Sequence, residues 1–377
     1  MPRAENLSLS STAIPGAHSR ALLTNLQYVR ALAAYLVVLY HARLLTPLGQ
    51  ALPLDFGRAG VDIFFVISGF IIQHVAARDD AGRPGAFLVK RLIRIAPLYW
   101  ILTLMIGLAG PFAPALAGKA GVPDAGMIAR SLLFIPYVDG AGDIHPVLFT
   151  GWTLNYEMFF YALFAVGLLI MDGLRRLVAL SVALVLLVTI GATSDPDGAV
   201  GITYTSPLLL EFGAGLWLNM AWQRIRHVTS ATRLAAGAAM AGGFTALVLG
   251  TIFWPTVPDV LKWGIPAVVI VAAALLCERA DGGGRYKLAL LLGEASYAIY
   301  LIHPFVIKAA SLAAARLFRD AAIPLQAALL FGTLVAVGVV GVALHLLVER
   351  PLLSLLRRWL LPRSSSRRAH GSSPVRN

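Results

Sequence analysis

The sequence predicts an all-α integral membrane protein of about ten transmembrane helices with both termini in the cytoplasm. Three observations carry that expectation. Of the 377 residues, 58% are hydrophobic and only 13% charged, with a mean hydropathy of +0.76. A soluble domain carries about 25% charged residues, so this chain lacks the charge to cover a water-facing surface. Apolar runs recur along the whole length, so the excess does not come from one anchor. The cations also alternate between the two sides of those runs.

The ten expected spans are 25–44, 58–77, 92–110, 148–171, 174–192, 205–222, 232–253, 260–277, 288–309 and 325–348. With a cytoplasmic N-terminus, the inner segments hold 22 of the 31 Lys and Arg residues and the outer segments 8. That split follows the positive-inside rule and favours an even number of spans. The same bias accounts for the net charge of +12 without a nucleic-acid partner. Residues 1–24 are polar and Ser-rich and read as a disordered cytoplasmic tail. Residues 25–350 form one membrane domain. Residues 351–377 read as a basic cytoplasmic tail lying against anionic lipid headgroups. The longest outer loop, 111–147, is rich in Pro, Gly and Asp, and is the one large enough to help bind an external substrate. The lone cysteine, Cys277, cannot form an internal disulfide.

Ionisable side chains inside spans are costly, so each is a functional candidate. The first span carries Arg30 and His41, eleven residues apart. On a helix that spacing leaves them about 20° apart in azimuth and about 16 Å apart in height, one towards each membrane face. The alternative for Arg30 is snorkelling to inner headgroups, and for His41 an interfacial position. Asp62, at the start of the second span, falls at about the depth of His41. It is expected either to accept the imidazole N–H or to cap its own helix. Ser68 and Gly69 allow close helix approach. Arg91 and Arg94, on one face beside the inner leaflet, read as a phosphate clamp or as topological anchors. Glu157, flanked by Trp152, Asn155 and Tyr156, suggests a polar pocket or a structural pair with an arginine. The ninth span brings Ser296 to the inner half, and Tyr300 and His303 share a face further out, before a kink at Pro304. His74, His145 and His345 have no comparable context. No metal-ligand spacing stands out, and there is no nucleophile elbow.

Topology gathers His41, Asp62, Glu157 and His303 in the outer half, with Arg30, Arg91 and Arg94 in or beside the inner half. That arrangement suits an anionic donor held from the cytoplasm and a proton-transfer site further out, with a neutral histidine able to deprotonate a hydroxyl. A proton-coupled transporter or polysaccharide exporter would use similar intramembrane residues, but no related halves are visible. A non-catalytic partner of a glycan-assembly complex has no positive sign.

The residues resemble the membrane acyltransferases of family 3, which include bacterial O-antigen and exopolysaccharide O-acetyltransferases. The matching pieces are Arg30-x10-His41, Gly60-x-Asp62-x-Phe64-Phe65-x-x-Ser68-Gly69-Phe70, Arg91-x-x-Arg94, Trp152-Thr-Leu-x-x-Glu157 and Ser296-Tyr297-x-x-Tyr300-Leu-x-His303. They stand in the family's order across residues 25–350. The resemblance implies ten core helices in a bacterial inner membrane and an acyl-CoA, acetyl-CoA above all, as co-substrate with no tightly bound cofactor. It also implies a glycan hydroxyl as acceptor. It makes Arg30 and His41 essential and gives Arg91 and Arg94 to CoA. On this expectation His41, Asp62 and Glu157 are catalytic. Arg30, Arg91 and Arg94 hold the donor, and Trp152, Tyr156, Ser296, Tyr300 and His303 support the substrate.

Overall fold

The computed structural model describes residues 23–79, 82–112, 121–170, 172–225, 227–281, 286–317 and 322–360. Of the expected tails 1–24 and 351–377, residues 1–22 and 361–377 lie outside the described residues. All regular structure among the described residues is helical.

The elements run α1 Thr24–Ala42, α2 Pro47–Ala51, α3 Ala59–Asp79, α4 Pro84–Ala109, α5 Ala125–Leu132, α6 Trp152–Gly167, α7 Gly173–Ser194, α8 Ala199–Tyr204, α9 Leu209–Arg224 and α10 Ser230–Phe253. They continue with α11 Ile265–Asp281, α12 Lys287–Glu294, α13 Ser296–Leu317, α14 Ile323–Leu344 and α15 Arg350–Leu360. Local chemistry sets many of the ends. Asp124, Asp172 and Thr229 each accept a backbone N–H from the first turn of the helix they precede, as N-cap side chains do. The first turn of α1 is satisfied from across the bundle, where the Glu278 carboxylate accepts the Thr24 N–H at 2.9 Å.

Seven helical stretches are long and apolar enough to cross a membrane: Thr24–Leu45, Pro84–Ala109, Gly173–Ser194, Ser230–Phe253, Val260–Glu278, Ser296–Ala314 and Ile323–Leu360. The protein is therefore a multi-pass membrane protein. The other three expected spans fall on α3, α6 and α9, and α6 and α9 have only 16 residues each, about 24 Å of helix.

Two boundaries differ from expectation. The ninth expected span is split at Ala295 into α12 and α13. Residues 351–360, expected as the start of a basic tail, continue as helix, because a π-helical turn at His345–Glu349 joins α14 to α15.

Helix α1 is central and touches α3, α11, α12, α13 and α14. The tightest crossing is α3 against α9. A Cβ on Gly69 would stand 2.1 Å from the Phe212 carbonyl oxygen, and one on Gly215 would stand 2.2 Å from that of Val66. Apolar surface gives little drive for association in lipid, so close backbone contact through small residues does that work. This crossing presses Asp62 of α3 against α9, which matters below.

Candidate active site

One cavity is lined by Arg30 and another by His41, and Val61 and Tyr300 line both.

The first, of about 160 Å³, is lined by Arg30 from α1, Ser68 from α3, Arg91 and Arg94 from α4, Glu157 and Tyr161 from α6, and Ser296 and Tyr297 from α13. Its three cations are held differently. Arg94 forms an ion pair with Glu349, which is 1% exposed and also accepts the His345 Nδ1–H at 2.7 Å. Among the described residues, Arg91 has no carboxylate within ion-pair distance. Its guanidinium lies over the Phe87 and Tyr161 rings at 5.4 and 5.9 Å, and its Nε is buried without a partner. Arg30 reaches Gln27 Oε1 at 3.4 Å and likewise has no ion pair among the described residues. Glu157 accepts hydrogen bonds from Ser68 Oγ at 2.9 Å and from the Tyr161 hydroxyl. Ser296 Oγ is fully buried and unpartnered. A cavity with two unpaired guanidinium groups is a natural anion site.

The second cavity, of about 630 Å³, is lined by His41, Asp62, Phe149, Trp152 and Tyr300 among others. His41 Nδ1 lies 2.9 Å from the Val37 carbonyl oxygen one turn back. A carbonyl only accepts, so Nδ1 carries the proton and Nε2 keeps its lone pair. His303 packs against His41 with ring centroids 5.0 Å apart, and its Nδ1 lies 2.7 Å from the Tyr300 carbonyl oxygen. The reason is in the sequence: Pro304 has no N–H, so that carbonyl lacks its helical donor and the imidazole takes it. His303 Nε2 is buried without a partner. The site thus presents two imidazoles of defined tautomer, with His41 facing the cavity as a proton acceptor.

Three expectations about neighbours are corrected. Asp62 does not fix the His41 tautomer, because the Val37 carbonyl does. Asp62 instead lies beside the Glu211 carboxyl of α9, and Asp62 Oδ1 and both Glu211 carboxyl oxygens are buried without a hydrogen-bond partner among the described residues. Both residues are buried, at 3% and 2% exposure, and a Cβ on Gly264 would lie 2.9 Å from Glu211 Oε1. Glu157 is not in the His41 cavity but among the arginines. Ser68 does more than permit packing, since it bonds Glu157. Trp152 lines the His41 cavity and not the pocket of Glu157, Tyr300 lines both cavities, Arg30, Arg91, Arg94 and Ser296 line the first, and Tyr156 lies behind Trp152 with ring centroids 5.8 Å apart.

Tyr300, like Val61, lies where the two cavities adjoin. Its hydroxyl donates to the Thr150 carbonyl oxygen at 3.0 Å and lies 3.0 Å from Thr153 Oγ1. Arg30 and His41 therefore reach different cavities from one helix stripe, and Tyr300 lines both.

This geometry has a family. Residues 23–348 match the model of the acyltransferase domain family. The chain belongs to the family-3 membrane acyltransferases. Among its relatives, exopolysaccharide production protein ExoZ of Rhizobium meliloti (strain 1021) is 40% identical over 301 residues, covering 79% of this chain and 90% of the relative. Acyltransferase MdmB of Streptomyces mycarofaciens is 28% identical over 339 residues, covering 80% and 82%. Nodulation protein 10 of Rhizobium leguminosarum bv. viciae is 26% identical over 326 residues, covering 77% and 84%. No solved structure matches the chain significantly.

Several polar residues of this acyltransferase escaped sequence reading. Glu211 and Glu349 are acidic residues within or at the end of apolar runs, the very signal applied to Asp62 and Glu157. His345 owes its context to Glu349, four residues on. Asp139, Asp143 and His145 bring possible metal-ligand atoms within 4.8 Å of one another, and the Asp-x3-Asp-x-His spacing was the available sign.

Proposed function

We propose that this acyltransferase moves an acetyl group from cytoplasmic acetyl-CoA to a hydroxyl of an exported or cell-surface glycan. The observation that carries the reading is the pair of cavities meeting at Tyr300, one with unpaired arginines and one with an imidazole poised to accept a proton. Exopolysaccharide production in the name of a 40% identical relative supports a glycan acceptor.

In this reading α3, α6 and α9 also cross the bilayer, giving ten crossings with both termini cytoplasmic. The arginine cavity then faces the cytoplasm and the His41 cavity the far side of a bacterial inner membrane. Arg30 and Arg91, which line the first cavity, supply the positive charge that attracts the phosphorylated donor. The acceptor hydroxyl sits at His41 Nε2, which takes its proton as the oxygen attacks the thioester carbonyl. The tetrahedral adduct collapses with loss of the CoA thiolate, and the new ester leaves on the acceptor side. The imidazolium proton passes to the leaving thiolate or to water, restoring His41. His303 packs against the ring and holds it in place.

The test is acetyl transfer from radiolabelled acetyl-CoA to isolated surface polysaccharide in membranes containing the protein or its His41→Ala variant. The expected result is labelled polysaccharide with the parent and none with the variant. Label transfer unchanged by the substitution would overturn the His41 role. No CoA-dependent labelling, together with substrate flux into vesicles, would replace the reading with transport.

A further inference from the structure

Helix α6 shows two polar faces, and the arginine cavity uses only one. Thr153, Glu157 and Tyr161, spaced i, i+4 and i+8, line the first cavity, as residues one turn apart share a face. Trp152, Asn155 and Tyr156 turn the other way. With Asp143, His145 and Thr203 they line a separate groove of about 420 Å³, within the range of small-molecule clefts, roughly 300–1,000 Å³.

We propose that this groove binds a pyranose unit of the acceptor glycan, next to the unit that is acylated. The proposal rests on the glycan-acceptor reading above and deepens it. Asn155 is 2% exposed and its side-chain oxygen meets no donor. An orphaned buried amide oxygen costs stability, so its retention points to a partner that arrives from outside. Trp152 and Tyr156 meet nearly edge to face, at 85°, and form an aromatic corner against which the C–H face of a sugar ring packs. Asp143 offers an exposed carboxylate to neighbouring hydroxyls. An acyl chain would leave Asn155 unsatisfied, whereas a polyol supplies the missing donor. Trp152 and His145 line both this groove and the His41 cavity, so one oligosaccharide can occupy both with a hydroxyl at His41.

The protein in lipid nanodiscs free of glycoside detergent is probed with methyl β-D-glucopyranoside and methyl β-D-galactopyranoside by saturation-transfer NMR. The parent is expected to transfer saturation to ring protons of at least one glycoside. Asn155→Leu is expected to weaken that binding about tenfold while the melting temperature holds or rises, an outcome a merely structural asparagine does not give. Asp143→Ala, on an exposed loop where folding is not at stake, is expected to weaken it in the same direction. In the transfer assay both variants raise the acceptor KM and leave the acetyl-CoA KM unchanged. Absence of glycoside binding by the parent, or undiminished binding in both variants, would overturn the proposal. Glycoside binding without any acetyl transfer would instead sink the glycan-acetylation reading and keep the groove.

Discussion

The two cavities that adjoin at Tyr300 are built by opposite means. The arginine cavity relies on formal charge: two guanidinium groups without an ion pair among the described residues, a third held by Glu349, and one carboxylate with its own hydrogen-bond donors. The His41 cavity relies on backbone dipoles, with both imidazoles oriented by helical carbonyls at 2.9 and 2.7 Å. Of the carboxyls that line it, Asp62 lies beside Glu211 and Asp259 pairs with Arg58 at 3.4 Å. Unpaired cations suit binding an anion. A neutral imidazole of fixed tautomer suits moving a proton. The contrast teaches that an anion site and a proton acceptor are built separately here, and under the proposed function substitutions should split along that line.

The largest expected effect is at His41. His41→Ala should lower acyl transfer by about 10²–10⁴-fold, the range of a lost general base, with acetyl-CoA affinity unchanged in equilibrium binding. Equal loss of donor affinity would break the division between cavities.

The arginines should divide next. Arg94→Ala strands the buried Glu349 carboxylate and should cost about 3–5 kcal/mol of stability, read as a fall in thermal unfolding temperature. Adding Glu349→Gln should recover most of it. Arg91→Ala strands nothing, so it should leave stability unchanged and weaken donor binding about tenfold. Arg91→Ala and Arg94→Ala behaving alike would show that the pair is a single clamp.

Pro304→Ala returns a backbone N–H to the Tyr300 carbonyl and competes with His303. We expect kcat to fall about tenfold with no loss of stability, since a helix-interior proline is itself unfavourable. Unchanged kcat would remove His303 from the proton-transfer site.

The smallest effect concerns the place where the cavities adjoin. Tyr300→Phe removes the hydroxyl's bonds to Thr150 and Thr153, each worth about 1 kcal/mol. Release of CoA from acetyl-CoA without acceptor should rise a few-fold as water reaches the thioester. A thiol-reactive dye reports it, and a flat signal would mean that the barrier to water lies elsewhere.

Much of the site was legible along single helices. Arg30 and His41 lie on one stripe because eleven residues return to nearly the same azimuth, and they do line adjoining cavities. Arg91 and Arg94 share a cavity for the same reason. Asp62 shows where that reading ends. Its depth was right, since it lines the same cavity as His41, but its partner was not. Register along a helix gives height and relative azimuth, while the face turned towards a given neighbour depends on how helices pack. The Gly69 and Gly215 crossing brings α3 onto α9 and gives Asp62 to Glu211. Glu157 was misgrouped for the same reason, as α6 turns it to Ser68 and Tyr161.

The sequence by itself determined the membrane class, the helical architecture, the family and the stripes of polar residues, because hydropathy, helical period and motif order are properties of the chain read along its length. Tertiary structure alone decided which carboxyl meets which partner, which carbonyl holds each imidazole, and that Tyr300 lines both the arginine cavity and the His41 cavity. Those pairings join residues as far apart as Arg94 and Glu349, and only the packing of one helix against another brings such residues together.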